Sequence, residues 1–236
     1  MIEIVVSTTV TTKRKARDTS VALKIGMAVS GILFVLFILM HMYGNLKMFA
    51  GAQAYNDYAE HLRTFGEPIL PYEGLLWILR IVLLAALILH AYAAFTLWHR
   101  AGQARGSKYA VKRTLAQTYA SRTMRWGGVI LLLFIIFHIL QFTTLSIEIG
   151  GDYHSITPYE RMVVAFQQWY VWLIYLIAIA SLAMHVRHGV WSAMATLGGN
   201  KKRRQDTIHL VAIFVAAIVF VGFMLPPTAT LFGWVS

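Results

Sequence analysis

Four histidines sit where histidine is expensive. His41, His90, His138 and His185 each lie late in a long apolar run, and His185 stands about one turn before charge returns at Arg187. An imidazole in hydrocarbon needs a partner, and ionisable residues inside a membrane segment are functional candidates by default. One such histidine reads as an interhelical hydrogen-bond donor. Four of them suggest two iron sites, each with two axial imidazoles, which is the ligand set of a haem b pair.

Five apolar segments are long enough to carry these residues across a bilayer, since about 20 apolar residues span the hydrocarbon. They cover approximately 25–46, 74–98, 126–147, 162–186 and 208–225, the last closed by Pro226 and Pro227. The expected fold class is therefore an all-α integral membrane bundle of five transmembrane helices. Residues 1–20 are expected to form a cytosolic tail and 21–236 a single transmembrane cytochrome domain. The short apolar start is followed by the polar, basic stretch 8–20, without the small-residue cleavage site of a signal peptide.

The chain is 58% hydrophobic over 236 residues, too apolar for an ordinary soluble domain. Its net charge of +11 suggests nucleic acid until the charges are located. Residues 1–24 carry five basic and two acidic side chains, 99–125 seven and none, and 186–206 five and one. The connections 46–72 and 146–161 each hold three acids, against two bases and one base. The positive-inside rule turns that alternation into a topology with the N-terminus in the cytoplasm and the C-terminus outside. The basic charge is thus loop bias, and no nucleic-acid partner is expected. With no cysteine, the chain supplies no thiolate to an iron–sulfur cluster and no thioether-bound haem.

Topology pairs the histidines. Spans one and three run outward, so His41 and His138 lie toward the outer leaflet. Spans two and four run inward, so His90 and His185 lie toward the inner one. At about 1.5 Å per residue the two levels are expected roughly 10–20 Å apart. Zinc would need four ligands at one point, which two depths do not supply. His61, His154 and His209 fall in loops or at a span end, where solvation is expected; His99 and His188 lie near the inner interface. Gly31, Gly127 and Gly128 suit either room for porphyrin or close helix packing. Arg80, ten residues before His90, is the one charge well inside an apolar run, and a haem propionate is its expected counter-ion.

Between spans one and two, Tyr55, Tyr58, Leu62 and Phe65 recur at spacings of three and four, the pattern of a short amphipathic helix on the outer surface. Gly66, Pro68 and Pro71 break it.

The HMYGN run at 41–45, with the segment 50–63 after it, resembles the first-span region of di-haem cytochrome b subunits of succinate:quinone oxidoreductases and fumarate reductases. LHAY at 89–92 is similar to their second span, SRTMR at 121–125 leading to Phe137 and His138 to their third, and HVRHGVWS at 185–192 through Gly198 to their fourth. The resemblance implies His90 with His185 on the inner haem and His41 with His138 on the outer, in agreement with the depth argument. It implies a bacterial inner-membrane anchor subunit of succinate dehydrogenase. Flavoprotein and iron–sulfur subunits would dock on its cytosolic face, and menaquinone would be the electron acceptor. Some di-haem fumarate reductases carry a glutamate two residues before the fourth-span ligand; Ala183 stands there, so that proton path does not carry over. If quinone reduction takes up protons near the outer haem, Glu67 and Glu73 are the expected acids and Tyr43 and Tyr72 the expected hydrogen-bond donors; the competing site is the inner face, between the iron–sulfur partner and the inner haem, near His99 and Arg187. Two other readings fit the apolar histidines: a cytochrome b anchor of a hydrogenase or formate dehydrogenase, and a haem-free transporter with a histidine proton relay.

Overall fold

The computed structural model describes residues 19–103, 115–198 and 202–236, with no side-chain description for 115–123 or Lys202. Most of the expected tail, and most of the basic stretch 99–125, lie outside the described side chains. Among the described residues all regular structure is helical: α1 (Ser20–Leu46), α2 (Ala52–Thr64), α3 (Gly74–Gln103), α4 (Leu115–Phe142), α5 (Pro158–Phe166), α6 (Trp169–Thr196) and α7 (Gln205–Leu231). Helices α1, α3, α4, α6 and α7 are long and apolar enough to cross a membrane. In hydrocarbon every backbone group must be satisfied within its own segment, and a continuous helix does that.

Much of the apolar surface faces outward. On α3, Trp77, Ile78, Ile81, Leu84 and Ile88 are all exposed, the signature of a lipid-facing helix. The protein is a multi-pass membrane protein.

Four spans form an incomplete square. Helix α1 packs along α3 and α6, and α4 packs along α6, while α3 and α4 make no extended contact among the described residues. The corners run α3–α1–α6–α4, with α1–α4 and α3–α6 as diagonals. Helix α7 fills the outside of the α1–α6 edge. At Gly222 of α7 the side chain of Met42 occupies the place of a β-carbon, so a larger residue there would have to displace that methionine.

One end of the bundle is capped. A 3-10 turn (Lys47–Ala50) leads from α1 into α2. There Tyr55 packs against Tyr159 of α5, and burial pushes its phenol up to about 12. The α5 backbone N–H of Tyr159 donates to Asn56 of α2 (3.1 Å). Beneath them Met48, Met162, Phe166, Val171, Tyr175 and Met224 form the main apolar core.

Three boundaries differ from expectation. The fourth apolar run does not begin its span at Met162. A capping box closes α5, with Thr157 and Glu160 satisfying each other's backbone N–H, and the chain turns at Gln167–Gln168 before α6 starts at Trp169. The third span stops at Phe142 rather than at 147, and 143–157 folds back onto the bundle. The last helix is not closed by its prolines but continues to Leu231. Pro226 and Pro227 are buried there; Thr230 Oγ1 donates to the Pro226 carbonyl (3.0 Å), and Trp172 Nε1 of α6 donates to Thr228 Oγ1 (3.1 Å).

Candidate haem-binding site

Each diagonal of the square is bridged by two imidazoles. His41 on α1 faces His138 on α4 with ring centroids 5.7 Å apart, and His90 on α3 faces His185 on α6 at 6.1 Å. These are the pairs expected from depth. A metal–imidazole bond of about 2.0–2.1 Å puts two rings ligating one metal roughly 6 Å apart, centroid to centroid. Among the described residues no three metal-ligating side chains converge, so each pair stands alone, as two axial ligands of a haem do.

A common ten-residue step sets the levels. Gly31 precedes His41 by ten residues, Gly128 precedes His138, Arg80 precedes His90, and Tyr175 precedes His185. A β-carbon on Gly31 would lie 3.6 Å from His90 Cε1, and one on Gly128 would lie 3.7 Å from His185 Cε1. Tyr175 contacts His138. Thus α1 and α4 bring a glycine to one level and a histidine to the other, while α3 and α6 do the reverse with a polar side chain. Ten residues of helix separate the levels by about 15 Å.

Two of the four imidazoles are held by their Nδ1 atoms. Ser30 Oγ lies 3.0 Å from His90 Nδ1 and donates its own hydrogen to the Gly26 carbonyl (2.7 Å). It can therefore only accept from His90, which puts the proton on Nδ1 and leaves Nε2 with a lone pair. Tyr175 Oη lies 2.9 Å from His138 Nδ1. His185 Nδ1 is buried with no hydrogen-bond partner among the described residues. A nitrogen in that state costs about 1–3 kcal/mol. The site thus has unmet capacity, and the glycine beside each ring of the His90–His185 pair leaves space. The residues fit a haem at each level.

Aromatic rings line both levels. Phe37 stacks on His41 (5.4 Å), Phe134 stacks on His138 (5.7 Å) and Phe34 meets His90 edge-on (5.9 Å). His188 instead turns to Trp191, whose other neighbour is the exposed ring of His209. It joins neither imidazole pair. His61 and His154 are exposed, as expected.

Arg80 has a protein counter-ion. Its guanidinium bonds Glu73 (3.2 Å), which also takes Arg63 (3.3 Å), and lies over Trp77 (4.9 Å). The premise of an unpaired charge therefore fails, although the ten-residue step keeps Arg80 at the His41–His138 level. Glu73 opens α3 from a left-handed backbone (φ 59°), pinned by its N–H to the Arg63 carbonyl (2.7 Å). Tyr72 donates to Glu60 (3.3 Å). Local desolvation and then that carboxylate raise its phenol above the ordinary value. Tyr43 meets Tyr58 at 6.0 Å under the Lys47 ammonium. Glu67 is exposed. The structure thus gathers Tyr72 and Glu73 into one charged cluster with Arg63 and Glu60, with Tyr43 on a separate aromatic contact.

Sequence reasoning missed Ser30, Gln141, Tyr153 and Tyr175. Three of these are polar groups within or beside apolar runs, a signal as legible as that of the histidines.

The five long apolar helices, with an imidazole pair across each diagonal, define a helical membrane bundle. The family model for the succinate dehydrogenase/fumarate reductase transmembrane subunit matches residues 100–224, just over half of the chain, and the chain belongs to that family. The match spans α4, α6 and α7, and so includes His138 and His185. No curated protein and no solved structure matches the chain.

Proposed function

We propose that this chain is the membrane anchor and electron-transfer subunit of a succinate dehydrogenase, linking its iron–sulfur subunit to menaquinone through two bis-histidine haems b. The observation that carries the reading is the pair of imidazole contacts, at 5.7 and 6.1 Å, across the two diagonals. His90 and His185 hold the inner haem, and His41 and His138 the outer one. When bound, each haem supplies a one-electron iron couple.

The protein's own groups do the rest. Ser30 and Tyr175 fix the tautomer and orientation of His90 and His138, the usual task of a ligand's outer hydrogen bond. The lipid-facing bundle gives a low dielectric, and Arg80 adds positive charge at the outer level. The flavoprotein and iron–sulfur subunits dock on the cytosolic face, where the basic loops lie, in the inner membrane of a bacterium. The capped end faces outward. There Glu67, Glu73, Tyr43 and Tyr72 form the quinone region: the tyrosines donate to a carbonyl, and the acids relay protons.

Purification in mild detergent tests the whole reading. A flavoprotein and an iron–sulfur protein should co-purify, with a b-type reduced-minus-oxidised spectrum and two haems per chain. A hydrogenase or formate dehydrogenase partner, or no b-type band, would overturn it.

A further inference from the structure

A buried polar chain runs from His138 to the loop between α4 and α5. His138 Nδ1 lies 2.9 Å from Tyr175 Oη, Tyr175 Oη lies 3.0 Å from Gln141 Oε1, and Gln141 Nε2 lies 3.3 Å from Tyr153 Oη. Tyr153 Oη lies 3.1 Å from the Ile149 carbonyl oxygen. Gln141 and Tyr153 are 0% exposed and Tyr175 is 6% exposed, so water does not satisfy these groups.

The direction of every bond follows from the last one. The Ile149 carbonyl can only accept, so Tyr153 donates its one hydrogen there. Tyr153 must then accept from Gln141, which turns the amide so that Oε1 faces Tyr175. Tyr175 donates to that oxygen and has only lone pairs left for His138. The proton of His138 therefore sits on Nδ1, and Nε2 is left free to bind a metal. A loop carbonyl thus sets the tautomer of an imidazole three side chains away.

The loop is anchored to hold that position. Tyr153 N–H donates to Glu148 (2.9 Å), and its carbonyl accepts from Arg161 Nε (2.7 Å). Gly150, at φ 85°, packs so closely on the Val164 carbonyl that no side chain fits. Among the described residues His41, the other half of the pair, has no comparable relay, and neither does the inner level, where Ser30 and the Met27 backbone are the partners of His90.

The geometry points to Tyr175, Gln141 and Tyr153 as positioning residues that lock His138 as the Nδ1–H tautomer and set the redox potential of the outer haem from the outer loop. This rests on the haem reading above. A hydrogen bond from Nδ1–H raises the basicity of the ligand, which favours ferric iron. Breaking the relay should therefore raise the outer potential.

Redox titration and electron paramagnetic resonance of the purified complex test it. Tyr175→Phe keeps the ring in its contacts with Phe134 and Phe166 and removes only the oxygen. The expected result is an upward shift of the outer haem and a change in its ferric resonance, with the inner haem unmoved. Gln141→Leu should act in the same direction, and Tyr153→Phe should do so by less. If wild type holds two haems and the outer haem is unmoved in both Tyr175→Phe and Gln141→Leu, the relay has no such role. Equal shifts of both haems would contradict it as well. Absence of haem from the wild type would sink the haem reading itself.

Discussion

The smallest feature with a consequence is the hydrogen on Gly31 and on Gly128. A β-carbon fits at either place, at 3.6 and 3.7 Å from the imidazoles, but a branched side chain would enter the space beside them. Alanine at these positions should retain both haems, whereas Gly31→Leu or Gly128→Leu should deplete the inner haem alone; pyridine haemochrome quantitation with a redox titration reads the difference. The acids at the capped end differ in kind. Glu73 is clasped by Arg63 and Arg80, while Glu67 is exposed. With Glu67→Gln and Glu73→Gln made separately, at least one should lose quinone reduction while keeping both haems and dye-linked succinate oxidation. Full quinone activity in both would remove these acids from the quinone region.

At the scale of elements, α5 holds the outer loop in place, and its capping box is the accessible lever. Thr157→Ala should cost about 1 kcal/mol, read as an earlier thermal transition of the detergent-solubilised complex. The Glu160 carboxyl is held below its ordinary value, first by the Thr157 backbone N–H and then by its hydroxyl. A depressed carboxylate contributes stability that is present above its unfolded value and lost as pH falls through the folded one. Wild type should therefore lose this increment on acidification, and Glu160→Gln should flatten that limb. Helix α3 offers a second lever. Removing the positive charge of Arg80 leaves Glu73 balanced only by Arg63, so Arg80→Leu should lower the outer haem potential; equal potentials in variant and wild type would confine Arg80 to its Glu73 bridge.

The elements also show what could be read from the sequence. The five spans, the surface helix after α1 and both histidine pairs follow from apolar length and depth, because a straight helix converts residue number into height. The boundaries at Phe166–Trp169 and after Phe142 did not follow from hydropathy, since Met162–Phe166 is as apolar as a span. The Thr157–Glu160 capping signal was in the sequence and marks the start of α5, while the polar pair Gln167–Gln168 marks the break before α6. Pro226 and Pro227 misled because they are packed inside the bundle, where the helix runs on through them to Leu231. Contacts such as Ser30 with His90, sixty residues apart, have no local spacing to betray them.

Across the whole molecule, two imidazole pairs lie about 15 Å apart along the helices. The capped end is packed around Tyr159, Phe166 and Tyr175, while the described basic residues Lys24, Arg100, Arg125, Arg203 and Arg204 lie near the opposite helix ends. That division suits a subunit that docks soluble partners on one face and meets a lipid-soluble acceptor near the other. The central claim is the pairing, and potentiometric titration of four single variants tests it most directly. His90→Ala and His185→Ala should each abolish the same redox component, and His41→Ala and His138→Ala the other, with His188→Ala retaining both. Loss of one and the same component in His41→Ala and His90→Ala would contradict the account.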